Sequence, residues 1–251
     1  MVPRVIPPVA VFPDLDAASD AFARRIVANG RAAVREKGSF SLVISGGHTP
    51  MRVYERLAGP LGRRFPWEVT SVYFADERCV PPGDAESNFG AAWSTFLSRV
   101  PVPGRRVHRF RGEVRPPSRE AARYSRLVGA VRTDSPRFDM VLLGIGPDGH
   151  TASLFPGSRA TLERRRPAVA VRRSGQPPYV PRLTLTAPAL SSARDVCFLV
   201  AGSDKVDALR ATFRARAKGD PMHPASLVRP ARPAVWFLDR AAARGLPPAA
   251  P

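Results

Sequence analysis

Short apolar runs alternate along this chain with longer amphipathic stretches, and that alternation restricts the fold more than any other feature of the sequence. The run from Phe138 to Leu143 is apolar almost throughout, as a strand buried on both faces requires. Phe40 to Ile44 and Val69 to Phe74 read the same way, and Leu183 to Leu185, Val196 to Val200 and Ala234 to Leu238 are further strand candidates. Between them, Asp16 to about Lys37 carries Phe22, Ile26, Val27 and Val34 at near-helical spacing, with Asp14 or Asp16 placed to cap it and Gly38 to end it. Helices are also expected from about Ser87 to Leu97, from Glu120 to Val131, and from a Ser203 cap to Ala211, while residues 101–118 read as mostly irregular. Strands alternating with helices in this way specify the α/β class, a mostly parallel sheet with helices on both faces.

No repeat or linker interrupts the 251 residues, so one domain is expected over 1–251, with 245–251 a frayed tail. A chain of this length buries about 70–75% of its unfolded surface and needs no disulfide or metal staple. Its two cysteines, Cys79 and Cys197, lie far apart and form no CxxC pair, which fits a reducing compartment. Pro3, Pro7, Pro8 and Pro13 break the apolar N-terminal stretch, so no signal-peptide core is present. No apolar run approaches the ~20 residues of a membrane span. A cytoplasmic protein without a membrane partner is expected.

The 39 Lys plus Arg against 21 Asp plus Glu give a net charge of +18, which first suggests nucleic acid. Yet only Lys37, Lys205 and Lys218 are lysines, and the arginines are scattered. The densest cluster, Arg164 to Arg166 with Arg172 and Arg173, has no interleaved aromatics for base stacking. A solvated basic surface is therefore the preferred reading over a nucleic-acid site, and an anionic small substrate is compatible with it.

In an open parallel sheet, ligands sit at the carboxyl ends of the strands. After Leu143, the residues Gly144, Gly146 and Gly149 match G-x-G-x-x-G, a dinucleotide fingerprint. Against that reading, the match lies mid-chain, Asp148 puts a negative charge where a pyrophosphate must lie, and arginines stand where the acidic ribose ligand is expected. His150 is more informative. Histidine changes charge near neutral pH, and Asp148 two residues earlier can orient its imidazole or stabilise its protonated form. The plain alternative is a loop histidine bonded to backbone.

Ser45-Gly46-Gly47-His48-Thr49 leads from a strand into a helix whose free amides and dipole suit an anion; otherwise it is an ordinary tight turn. Asp76-Glu77-Arg78 and Asn88 can supply a polar cluster, or simply a solvated loop. Arg182 opens a strand where a guanidinium can fork onto a phosphate, or is one more surface arginine. His108 and His223 receive no role. No metal-ligand spacing and no G-x-S-x-G elbow occurs, so neither a metal nor a serine esterase triad is expected.

Taken together, Ser45-Gly46-Gly47-x-Thr49-Pro50, Asp76-Glu77-Arg78-x-Val80-Pro81 with Ser87-Asn88, and the run Gly146-Pro147-Asp148-Gly149-His150-Thr151-Ala152-Ser153-Leu154-Phe155-Pro156-Gly157 closely resemble the 6-phosphogluconolactonase family. Weaker matches continue through Arg182-Leu183-Thr184, Gly202 with Lys205, Pro224-Ala225-Ser226 and Trp236. One departure is His48, where the family usually carries a small residue.

The resemblance implies a Rossmann-like α/β fold shared with glucosamine-6-phosphate deaminase and ribose-5-phosphate isomerase. It implies hydrolysis of a sugar-phosphate lactone without metal or organic cofactor. His150 is then the base that activates water, Asp148 its support, and Gly46, Gly47 and Thr49 the phosphate loop, with Arg78 and Arg182 as cations. Ser45, Asp76 and Asn88 complete the expected substrate site. A monomer is favoured without being fixed by the sequence. The nearest rival, the sugar-phosphate deaminase branch, resembles Asp-Gly-His-Ile-Ala-Phe-Asn-Glu-Pro. Its ring-opening Glu aligns with Phe155, which cannot carry a proton.

Overall fold

A computed structural model describes residues 8–129, 138–244 and 246. Its elements run β1 (Val9–Phe12), α1 (Leu15–Lys37), β2 (Phe40–Ile44), α2 (His48–Ala58), β3 (Thr70–Phe74), β4 (Asp76–Arg78), α3 (Asn88–Thr95), β5 (Val107–His108), α4 (Pro117–Val128) and β6 (Phe138–Leu143). They continue with β7 (Ala168–Val171), β8 (Arg182–Leu185), α5 (Ala187–Ser191), β9 (Ala193–Val200), α6 (Val206–Ala215) and β10 (Val235–Asp239). Seven strands form one parallel sheet in the order β1-β10-β9-β6-β2-β3-β5. Every residue of the central strand β6 is buried, as its largely apolar character requires, and its one carboxylate, Asp139, is met by Ser41 and Lys37.

Helices cover both faces of this sheet. Neighbouring residues of a strand point to opposite faces. Phe237 meets Phe22 of α1 at 4.9 Å between ring centroids, while Trp236 meets Phe213 of α6 at 4.9 Å and stacks on Phe198 at 4.0 Å. The expected α/β architecture is therefore the observed one. Asp14 caps α1 by accepting the Ala17 amide at 2.8 Å, and Gly38 ends it with φ +76°.

The Asp76-Glu77-Arg78 segment departs from expectation, because it does not simply end β3. At Ala75 the chain changes sheets: its N–H donates to Ile44 of β2, and its carbonyl accepts from Leu185 of β8, both at 2.8 Å. Asp76 to Arg78 then form β4 in a separate antiparallel sheet, β4-β8-β7.

Other boundaries differ locally. Residues 101–118 contain β5 and the start of α4, which ends at Val128; the expected extension to Val131 lies outside the described residues. So does the tail 245–251, apart from Leu246. Ser203 lies inside a single 3-10 turn that precedes α6, after Gly202 at φ +99°, and makes no side-chain cap. Among the described residues no helix is long and apolar enough to cross a membrane, and both cysteines are buried free thiols.

Candidate active site

Beyond the carboxyl end of β2 the chain passes to β3 on one side; beyond β6 it passes to β9 on the other. Loops that diverge in this way leave a crevice between them. A cleft of about 280 Å³ opens there, lined by residues 45–50, by Asp76, Arg78 and Asn88, by 144–147 and 150–152, and by 199–201 with Lys205. Of the residues expected at the site, Ser45, Gly46, Gly47, Thr49, Asp76, Arg78, Asn88 and His150 stand on its wall. Asp148 and Arg182 do not.

The β2 loop is clamped from beneath. The buried Tyr54 hydroxyl accepts the Ser45 amide at 3.1 Å and donates to the Ser45 carbonyl at 2.6 Å. The Ser45 hydroxyl is committed to the Leu142 carbonyl at 2.7 Å, which ties this loop to β6. Gly47 precedes α2, and no side chain caps that helix, so its first turn opens on the cleft with uncommitted backbone donors. At Gly46 a methyl group would lie 1.9 Å from Asn88 Oδ1, so this close approach admits only glycine.

Asn88 and Asp76 form a buried polar pair. The Asn88 amide donates to the Asp76 carbonyl at 3.0 Å and to Oδ1 at 3.3 Å, while Asp76 Oδ2 accepts from Ser153 at 2.6 Å. Glu77 points the other way and anchors α3, accepting the amides of Arg78, Asn88 and Phe89 at 2.7 to 2.8 Å. Its burial pushes its pKa up to about 7, with those amides offsetting the rise only in part. Arg78 reaches the cleft with Nη1 bonded to the Glu86 carbonyl at 2.6 Å.

His150 carries the most defined chemistry on the wall. Its Nδ1 lies 2.5 Å from Asp148 Oδ1, and its backbone amide donates to the same oxygen at 3.1 Å. Burial raises the Asp148 pKa. The hydrogen bond and charge of His150, its amide and the Gln176 side chain outweigh that and bring it down to about 2. The carboxylate is thus charged throughout the neutral range. With Nδ1 turned to this carboxylate as a donor, the ring presents Nε2 as its free base. Phe155 packs against the imidazole, 5.0 Å between centroids.

Arg182 is the expected residue that the structure sets apart. It is 3% exposed, and its Nη2 donates to the Pro178 carbonyl at 2.8 Å and to the Ser174 hydroxyl at 3.2 Å. Its Nε and Nη1 are buried without a hydrogen-bond partner. It stands opposite Arg78 in the β4–β8 register, so both side chains share one face of the small sheet. Lys205 is the cleft residue that the sequence reading left without a role. It enters from the turn after β9, its Nζ 2.7 Å from Asp204. Its signals were the weak family match of Gly202 with Lys205 and a lysine retained in a chain that mostly uses arginine. Among the described residues, no group of three or more His, Cys, Asp or Glu side chains is placed to hold a metal ion.

The same architecture and sequence recur in known proteins. A sequence profile of the family described as glucosamine-6-phosphate isomerases/6-phosphogluconolactonase matches residues 13–237. A 6-phosphogluconolactonase of Synechocystis is 37% identical over 221 residues, covering 86% of this chain and 88% of that protein. One of Mycobacterium tuberculosis is 35% identical over 250 residues, covering 95% and 98%. The crystal structure of 6-phosphogluconolactonase from Thermotoga maritima superposes with a TM-score of 0.80 at 31% identity, over 93% of this chain and 99% of that one. The chain belongs to the glucosamine-6-phosphate isomerase/6-phosphogluconolactonase family.

Proposed function

We propose that the chain hydrolyses 6-phospho-D-glucono-1,5-lactone to 6-phosphogluconate, the lactone-opening step of the oxidative pentose phosphate pathway. The observation that carries this reading is His150 on the cleft wall, held from behind by Asp148, with Phe155 rather than a second carboxylate against the ring. The names of its relatives support it.

His150 Nε2 takes a proton from water as the water oxygen bonds to the lactone carbonyl carbon. Asp148 holds the ring by Nδ1 and stabilises the imidazolium as it forms. Collapse of the tetrahedral intermediate breaks the bond to the ring oxygen, which recovers the proton from His150. An ester oxygen leaves more readily than an amide nitrogen, so one base and a positioned substrate suffice. The reaction needs no metal or organic cofactor.

The phosphate is assigned to the uncapped start of α2 at Gly46, Gly47 and Thr49, with Arg78 and Lys205 as cations lining the cleft. The partnerless Nε and Nη1 of Arg182 lie on the same face of the small sheet as Arg78 and strengthen that positive field. Asp76, Asn88 and Ser45 fix the cleft wall. One apolar core runs beneath both sheets, and the chain works as a single domain and a cytoplasmic monomer acting on a small molecule.

A similar fold at 23% identity, TM-score 0.75, belongs to a monomeric glucosamine-6-phosphate deaminase. Its chemistry is disfavoured here because Phe155 offers no proton for sugar-ring opening. Purified protein given fresh lactone and glucosamine 6-phosphate should turn over the first alone. His150→Ala should lower kcat on the lactone by ~10²–10⁴ towards the spontaneous rate. Near wild-type turnover in that variant would remove His150 as the base.

A further inference from the structure

The loop between β7 and β8 reaches the His150–Asp148 pair through one side chain. Gln176 Nε2 donates to Asp148 Oδ2 at 3.2 Å, while Oδ1 of the same carboxylate faces His150 Nδ1 at 2.5 Å. The terminal torsion of an aspartate is broad, so a carboxylate held at one oxygen swings, whereas one held at both is fixed.

The loop that carries Gln176 is itself tied down. The buried Ser174 hydroxyl donates to the Gln176 carbonyl and accepts the Gln176 amide, the latter at 3.2 Å. Arg182 Nη2 bonds to both Ser174 and Pro178, so the backbone on either side of Gln176 is anchored to β8. On the neighbouring flank, a Cβ at Gly175 would come within 3.1 Å of the Phe155 ring, the ring that packs on His150. The β7–β8 loop therefore touches the acid–base pair twice, once through Asp148 and once through Phe155.

We propose that Gln176 is a positioning residue for the reaction, a neutral donor that fixes the Asp148 carboxylate so that it holds His150 in its base tautomer. The inference rests on the reading of His150 as the base. The neutrality of the donor matters: a cation at this place would orient Asp148 equally well but would also offset its charge. The imidazolium that forms during turnover would then be less stable.

The test compares Gln176→Ala and Gln176→Lys with the unaltered protein on fresh lactone, from pH 5 to 9. The alanine variant should lose about tenfold or more in kcat, the worth of one hydrogen bond to a charged group, with KM unchanged. The lysine variant keeps a donor; it should retain more kcat than alanine and shift the acid limb of the kcat profile to lower pH. A residue that merely supports the loop would leave both kcat per folded molecule and the pH profile unmoved, and that result overturns the proposal. If the alanine variant folds poorly, Gln176→Met, which keeps the bulk and removes the donor, decides in its place by the same loss of kcat. His150→Ala measured alongside separates the two readings. An inactive His150→Ala with an unaltered Gln176→Ala rejects the role of Gln176 only, whereas an active His150→Ala rejects the base itself.

Discussion

At Gly146 a side chain as small as a methyl group would lie 2.1 Å from the His150 ring and 2.8 Å from Asp148 Oδ1. The glycine is there because the loop folds back on itself, its amide donating to the His150 carbonyl at 2.8 Å, and the imidazole fills the space that a Cβ would take. Gly146→Ala should therefore turn the ring away from Asp148 and lower kcat by about a hundredfold, within the range a general base supplies. Affinity for the product, 6-phosphogluconate, should change little, because the proposed phosphate contacts come from the β2 loop, Arg78 and Lys205 and not from the His150 loop. Steady-state kinetics together with product titration separate the two effects, and equal losses in both would contradict this account. Legibility at this scale follows sequence distance. Asp148 and His150 are two residues apart, so their pairing can be read from the chain. Gln176, twenty-eight residues beyond Asp148, joins the site only through tertiary packing and carries no local pattern, and Lys205, on a different strand end, carried only a weak family match.

Among the elements, β4 and α3 are coupled through Glu77. Its carboxylate meets the first two amides of α3 while Ser87 caps Gly90, and this places Asn88 against Gly46. The folded state holds the Glu77 proton more tightly than the unfolded chain does, with a pKa near 7 against an ordinary 4.5. The resulting stability is fully present below about pH 4.5 and is lost as pH rises through about 7. The total loss amounts to about 3 kcal/mol. Urea unfolding at pH 5 and pH 8 should show the unaltered protein losing stability relative to Glu77→Gln across that interval; parallel behaviour would count against a raised Glu77. β2, β6 and α1 were legible because each is long and regularly patterned. β5, two residues long, has no period to detect, β7 is four small residues between arginines, and β1 lies among prolines. The separation of β4 from β3 was hidden because a change of sheet at Ala75 alters hydrogen-bond partners without altering hydrophobicity.

On the scale of the whole molecule, part of the arginine content is matched locally by carboxylates and adds nothing to the net charge of +18. Arg25 pairs with Asp195, Arg56 with Asp16, Arg109 with Glu113, Arg123 with Glu120 and Arg194 with Glu36. Titration with unrelated duplex DNA or RNA at physiological salt should give a flat response, whereas steeply salt-dependent binding would revive a nucleic-acid role. The closure of the large sheet has a different consequence. Among the described residues β1 finds its only strand partner in β10, roughly 220 residues later in the chain. On a ribosome adding ~5–20 residues per second, that partner is made tens of seconds after β1 has emerged. For that interval Val9 to Phe12 is an unsatisfied edge. Until β10 is made, the backbone of that segment bonds to water, and its pairing with β10, distant in sequence, is among the last contacts the large sheet can form.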